Sequence, residues 1–151
     1  MEAGGAADEV PVVAAVVVRS GRVLLASRPP AKRHGGRWEF PGGKRRPHEG
    51  DEEALRRELR EELRVELTRV GRLLHSSRDP GSPYVVRFLE VEVRGEPEPV
   101  EHEAIRWCGA DALQALPLAP ADRDFVRRGL LPALRELRVE ASGGEGKDPR
   151  G

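Results

Sequence analysis

The sequence has little aromatic character, 4% of its 151 residues, and a single cysteine, Cys108. One thiol cannot close an internal bridge, which excludes a disulfide scaffold and points to a reducing compartment. An excess of charge of one sign is also lacking, since 26 basic side chains stand against 26 acidic ones. The chain therefore has no electrostatic footprint for long nucleic acid. Long apolar runs are absent too. The longest reaches from Val10 to Val18, far short of the roughly 20 residues that span a bilayer. Glu2, Asp8 and Glu9 precede it where a secretory signal would need basic residues. These absences predict one cytoplasmic globular domain, monomer or homodimer, with neither a membrane nor long nucleic acid as partner. A chain of this length buries roughly 68–70% of its unfolded surface, so the core needs no staple.

What is present organises that domain. The small, acidic first nine residues and the Gly-, Glu-, Lys- and Pro-rich stretch from Val139 to Gly151 predict disordered tails around a domain at 10–138. Val12–Arg19 and Val23–Ser27, split by Ser20-Gly21, read as a hairpin whose near-continuous apolar strands are covered on both faces. Arg28–Gly36 is a basic loop, followed by the short stretch Trp38-Glu39-Phe40. Asp51–Leu63 is the clearest helix, with Leu55, Leu59 and Leu63 at four-residue spacing and Asp51 as its expected N-cap. Val65–His75, Tyr84–Val93 and Ile105–Cys108 read as strands and Ala110–Leu116 as a short helix. Asp122–Leu137 reads as a longer helix, broken or kinked at Pro132.

The chemistry concentrates between Gly43 and Val65. At about 100° per residue, Glu61 and Glu62 flank Glu58 on one helix face, beside the leucine stripe. Like charges this close repel by a few tenths of a kcal/mol per pair, so a cation belongs among them. Arg57 and Arg60 are partial answers. A hard divalent ion matches clustered carboxylates better, and Mg²⁺ typically takes one or two of them plus substrate phosphates. A Glu/Arg helix alone is more often a solvated face. The preceding Pro41-Gly42-Gly43-Lys44 tips the balance, because glycines permit close backbone approach to a ligand and lysine suits phosphate.

This segment resembles the signature of the Nudix hydrolase family: Gly, five residues, Glu, seven residues, then Arg-Glu-apolar-x-Glu-Glu-x-Gly-apolar. Gly43, Glu49, Arg57, Glu58, Leu59, Glu61, Glu62 and Val65 all fall on it, and Arg64 stands where the signature has glycine. Arg46 and His48 stand where relatives often carry Glu and Gly. Likeness to the MutT-like branch extends over Val12–Leu137, through Arg28-Pro29, Gly36 to Lys44, Glu101-His102-Glu103 ahead of Trp107, and Pro117 to Asp122.

The resemblance implies an α/β/α sandwich around a mixed β-sheet. It implies hydrolysis of a nucleoside triphosphate to the monophosphate and pyrophosphate, on cytosine or oxidised guanine nucleotides, as in sanitising the precursor pool for DNA. It implies Mg²⁺, with Mn²⁺ as a possible substitute, held by Glu58, Glu61, Glu62 and the Gly42 carbonyl, with Glu101 completing the site. Glu58 or Glu101 would orient the attacking water, Arg57 would hold the glutamates, and Arg28 and Lys44 would contact phosphates. Hydrolysis of another nucleoside diphosphate derivative, or a non-catalytic nucleotide sensor, are the alternatives. Sensors of this kind usually lose metal-binding glutamates, and none is lost here.

Other residues are weighed singly. Trp38 and Phe40 either stack on a base or pack in the core, with core favoured for at least one. Asp122 either reads the base or caps the helix that follows it. His34, His48, His75 and His102 lack metal-ligand spacing and read as solvated or structural. Cys108 reads as a buried, inert thiol. Lys32-Arg33-His34 reads as a mobile basic loop.

Overall fold

The computed structural model describes residues 9–134. The expected tails, apart from Glu9, lie outside the described residues. Seven strands form one mixed sheet: β1 (Val10–Arg19), β2 (Arg22–Ser27), β3 (Trp38–Glu39), β4 (Gly42–Lys44), β5 (Glu66–Arg78), β6 (Tyr84–Arg94) and β7 (Ala104–Cys108). The main path runs β3-β2-β1-β6-β5, with β4 also paired to β1 and β7 to β2. Only β1 and β6 pair in parallel. Helices α1 (Asp51–Leu63), α2 (Ala110–Ala115) and α3 (Pro120–Phe125) follow, with a π-helical turn, Val126–Leu130, leading into helical residues 131–134. No described helix is long and apolar enough to cross a membrane.

β1 explains the layering. Successive side chains of a strand point to opposite faces, and here Val13, Ala15 and Val17 join Leu55, Leu59 and Leu63 of α1 in one core. Ala14 and Val16 instead join Phe40, Phe88, Phe125 and Leu118 in the other. With α1 on one face of the sheet and α2 and α3 on the other, the fold is the expected α/β/α sandwich. The hairpin turns at Ser20 and Gly21, both with positive φ (53° and 75°), as a two-residue loop matched to strand twist requires.

Several boundaries differ from expectation. Gly50, not Asp51, caps α1, with its N–H donating to Glu53 Oε1 at 2.8 Å. The Asp51 carboxylate is drawn away by Arg87 Nη2 (2.8 Å) and Arg45 Nη1 (3.3 Å). β5 continues to Arg78, accommodating three register shifts against β6. Gly42–Lys44, unremarkable as strand material, pairs with Val12–Ala14. The C-terminal helix starts at Pro120, and its irregularity lies at 126–130, just before Pro132. Proline there can offer no N–H to the Arg128 carbonyl and its ring crowds that group, so the preceding turn widens to the π pattern. The last three residues expected in this helix, 135–137, lie outside the described residues.

Candidate active site

A cavity of about 500 Å³ opens where β1, β4, α1 and α3 meet, with Gly42, Gly43, Lys44, Glu58, Glu62 and Asp122 in its lining. The two glycines make the junction possible. A Cβ on Gly42 would overlap the Val13 carbonyl, and one on Gly43 would overlap the Glu58 carboxylate. Without side chains β4 lies flush on β1, and Glu58 reaches the backbone of the turn.

Arg57 organises one side. Its Nε and Nη2 donate to the two oxygens of Glu49 (2.6 and 2.8 Å), Nη1 to Glu58 Oε2 (2.9 Å) and Nη2 to the Lys44 carbonyl (3.0 Å). Glu61 lies 3.5 Å from the same Nη1 and is half exposed. This two-pronged grip holds the Glu49 carboxyl down at about 2, with the Arg46 N–H helping, and pushes the Arg57 guanidinium up.

Glu62 is the contrast. It is 6% exposed, and its Oε1 has no hydrogen-bond partner. Burial, then the adjacent Glu58 carboxyl, then the charges of Glu39 and Glu101 push its carboxyl well up. His102 stands beside it, Nδ1 at 3.9 Å from Glu62 Oε1 and Nε2 at 3.1 Å from Glu39 Oε2. Among the described residues no three acidic, histidine or cysteine side chains converge closely enough to cage an ion as they stand. Glu61 leans to solvent and Glu58 leans on Arg57. The chemistry of the donors nonetheless fits a hard cation, since a buried, unpartnered carboxylate oxygen among carboxyl groups is short of positive charge.

The opposite side of the cavity is basic. Arg28 donates through Nη1 to Glu39 Oε1 (2.9 Å) and through Nε to the Arg33 carbonyl (2.5 Å), so it arrives already braced. Lys44 Nζ sits 5.0 Å from the centre of the Tyr84 ring. The loop carrying Lys32, Arg33 and His34 is pinned at the cavity mouth by buried Asp79, which meets Arg33 Nε at 3.2 Å and His34 Nε2 at 3.3 Å.

Two sequence expectations are corrected. Phe40 is 3% exposed and its ring packs edge-on against Phe88 and Phe125, so it offers no free face to a base. Asp122 is not a cap, because Ala119 holds that position. Its Oδ2 instead accepts the Phe40 N–H at 2.9 Å, while burial and the charge of Glu39 push its carboxyl well up. Glu101 is exposed and lies outside the cavity lining. The inward residue of that loop is its neighbour, His102. Sequence reasoning does not single out Glu39, His102, Asp79 or Tyr84 as site residues. Their signals are faint: a charge within an apolar stretch for Glu39, and a histidine between two acids for His102.

A family model described as the NUDIX domain matches residues 9–129. The chain is 41% identical over 132 residues to the CTP pyrophosphohydrolase of Escherichia coli (strain K12), covering 85% of this chain and 96% of that protein. It is 36% identical over 118 residues to a putative 8-oxo-dGTP diphosphatase 2 of Mycobacterium tuberculosis, covering 76% and 84%. Among solved structures, the E. coli ORF135 protein superposes with a TM-score of 0.70 at 40% identity, over 86% of this chain and 93% of that one. The MutT NUDIX hydrolase from Burkholderia pseudomallei gives 0.71 at 34%, over 80% and 97%.

Proposed function

The chain belongs to the Nudix hydrolase family, and from that premise we propose that it is a Mg²⁺-dependent nucleoside triphosphate pyrophosphohydrolase acting on cytosine or oxidised guanine nucleotides. The observation that carries this reading is the buried, unpartnered Glu62 carboxylate beside Glu58, opening into a cavity whose other side presents Lys44 and Arg28. One side is short of positive charge, and the other presents the Lys44 ammonium, which lies over the Tyr84 ring rather than against a carboxylate, an arrangement that suits a metal-bound polyphosphate.

In the reaction, water oxygen bonds to a phosphorus of the triphosphate, the P–O bond to the pyrophosphate leaving group breaks, and the water's proton passes to the Glu58 carboxylate and from there to solvent. Glu58, which lines the cavity, orients that water in preference to exposed Glu101. Arg57 fixes the carboxylate, and Lys44 neutralises phosphate charge on moving off the Tyr84 ring. Such transfers rest mainly on positioning and charge neutralisation. A divalent ion held by Glu58, Glu61, Glu62 and the Gly42 carbonyl would add water activation and charge stabilisation.

Asp122 supplies the base preference. A base N–H donated to Asp122 favours the ionised carboxylate against the burial that pushes it up; the ionised form accepts from the N4 amino group of cytosine, or from the N7–H that oxidation at C8 gives guanine, whereas uracil, thymine and ordinary guanine offer acceptors there. The test is a pyrophosphate-release screen over normal and oxidised nucleotides with Mg²⁺, on wild type and Asp122→Asn. Pyrophosphate from CTP, dCTP or 8-oxo-dGTP, with the ratio of their kcat/KM values shifted in the variant, is expected. Cleavage of a nucleoside diphosphate derivative with no triphosphate turned over would overturn the reaction, and an unchanged ratio would remove Asp122 as reader.

A further inference from the structure

The His102 ring is spent on neither solvent nor core. Its side chain is 7% exposed, and backbone bonds flank it on both sides. Val100 N–H donates to the Glu62 carbonyl at 3.0 Å, and Glu103 N–H donates to the Ser27 carbonyl at 3.1 Å. The first ties the loop to the last turn of α1, and the second ties it to the end of β2. Glu98 N–H adds a third tie, to the Leu63 carbonyl at 3.0 Å. The ring is thus delivered to one place by main chain, whatever its own side-chain contacts contribute.

From that place it faces two carboxyl groups on different elements. Nε2 meets Glu39 Oε2 at 3.1 Å, and the other oxygen of Glu39 is held by Arg28 Nη1 at 2.9 Å. A proton on Nε2 serves Glu39. The other nitrogen, Nδ1, looks at Glu62 Oε1, 3.9 Å away and beyond hydrogen-bond reach, and both atoms are buried without partners. A histidine kept only for packing would place its second nitrogen on a donor. A ring that braces one carboxylate and walls in another behaves as the outer support of a ligand that is itself acidic.

We propose that His102 is the positioning residue of Glu62: anchored through Glu39 to Arg28, it confines the Glu62 carboxylate to the cavity side, so that the cation-facing and nucleotide-facing halves of the site are set by one row, Arg28–Glu39–His102–Glu62. This rests on the metal-dependent reading given above. Because Arg28 also opens the basic loop, the row links the loop's root to the carboxylate over elements distant in sequence.

The test measures Mn²⁺ binding to the intact protein by the loss of the free-ion electron paramagnetic resonance signal, without nucleotide, alongside kcat and KM on the best triphosphate and a thermal melt. His102→Ala is expected to weaken Mn²⁺ binding roughly 10–100-fold, with kcat at a fixed metal concentration falling in parallel and recovering at high metal. His102→Gln, whose amide reaches Glu39 from the Nε2 position, is expected to bind within a few-fold of wild type. His102→Asn, too short to reach Glu39, should behave as the alanine variant. Wild-type binding with unchanged affinity in His102→Ala overturns this inference and leaves the proposed function standing. If the alanine variant does not fold, equal affinities for the Gln and Asn variants overturn it. A wild-type protein that takes up no Mn²⁺ overturns the metal reading itself, and this inference with it.

Discussion

Arg57 and Glu62 lie five residues apart on the same helix, and their surroundings are opposite. Arg57 donates to Glu49 twice, to Glu58 and to a carbonyl; Glu62 Oε1, more deeply buried, has no hydrogen-bond partner. A two-pronged guanidinium–carboxylate pair is a strong, geometrically defined contact, so the Arg57 end is finished in the free protein. A buried carboxylate without a donor costs stability and persists where function needs it. The saturated end is scaffold. Under the proposed function the unsaturated end is the one a cation completes, and its cost to the free protein is what substitution at Glu62 measures.

Glu62→Gln breaks this comparison most strongly. Turnover should fall by roughly 100-fold or more, since a charge that serves the transition state is removed. The metal-free protein should nevertheless become more stable, by roughly 1–3 kcal/mol at neutral pH, because folding no longer has to force a proton onto a buried carboxyl that is ionised in the unfolded chain. The sign follows from the raised Glu62 carboxyl. The folded state favours the protonated form, so wild type has its full stability below the ordinary carboxylate range and loses it as pH rises. The gap between variant and wild type should therefore open with rising pH. Mg²⁺ should close it by stabilising wild type alone. Melts with and without Mg²⁺ across pH decide this, and a destabilised metal-free variant would make Glu62 ordinary scaffold.

Glu49→Gln attacks the finished end and should do the reverse. It should lower the melting temperature in the presence and absence of Mg²⁺ alike, and lower kcat by roughly 10–100-fold through misplaced Glu58. The Glu49 carboxyl held at about 2 gives the opposite pH sense. Its contribution is complete above the ordinary range near 4.3 and disappears as pH falls toward 2. Wild type and variant should thus converge in acid melts. A difference that persists unchanged to pH 2 would mean the Arg57 pair is not what stabilises the helix.

The same contrast explains what can be read from the sequence. The bounds of α1 follow from Leu55, Leu59 and Leu63, because a helix records its buried face locally at 3.6-residue spacing. For the same reason Arg57, Glu58, Glu61 and Glu62 can be placed on neighbouring arcs. The two-faced burial of β1 is legible in an unbroken apolar run. Partners distant in sequence are not. Glu39 and His102 are 63 residues apart, and only the path of the 95–103 loop across the end of α1 brings them together. The cap escapes a sequence reading because Asp51, a good cap by type, is claimed by Arg87 from β6. Phe40 stays open between base and core because its fate depends on Phe88 and Phe125, one on β6 and one on α3.

The smallest expected effect sharpens the comparison at the end of α1, where neither the clamp nor the unpartnered pair reaches. Arg64 follows Leu63 with φ 59° and ψ 36°, and its N–H donates to the Arg60 carbonyl. A side chain in that left-handed conformation costs roughly 1–2 kcal/mol, which glycine avoids. Against this, glycine gives the unfolded chain more freedom, worth roughly 0.4–1 kcal/mol. Arg64→Gly should therefore stabilise the protein by no more than about 1 kcal/mol, seen as a higher urea midpoint with an unchanged slope. Its kcat and Mg²⁺ dependence should stay at wild-type values, because the exposed Arg64 side chain does not line the cavity. A destabilised Arg64→Gly protein would show that the Arg64 side chain secures the turn. A stabilised protein with altered Mg²⁺ dependence would show instead that the turn after α1 tunes Glu62, extending the unfinished end of the helix one residue past its last turn.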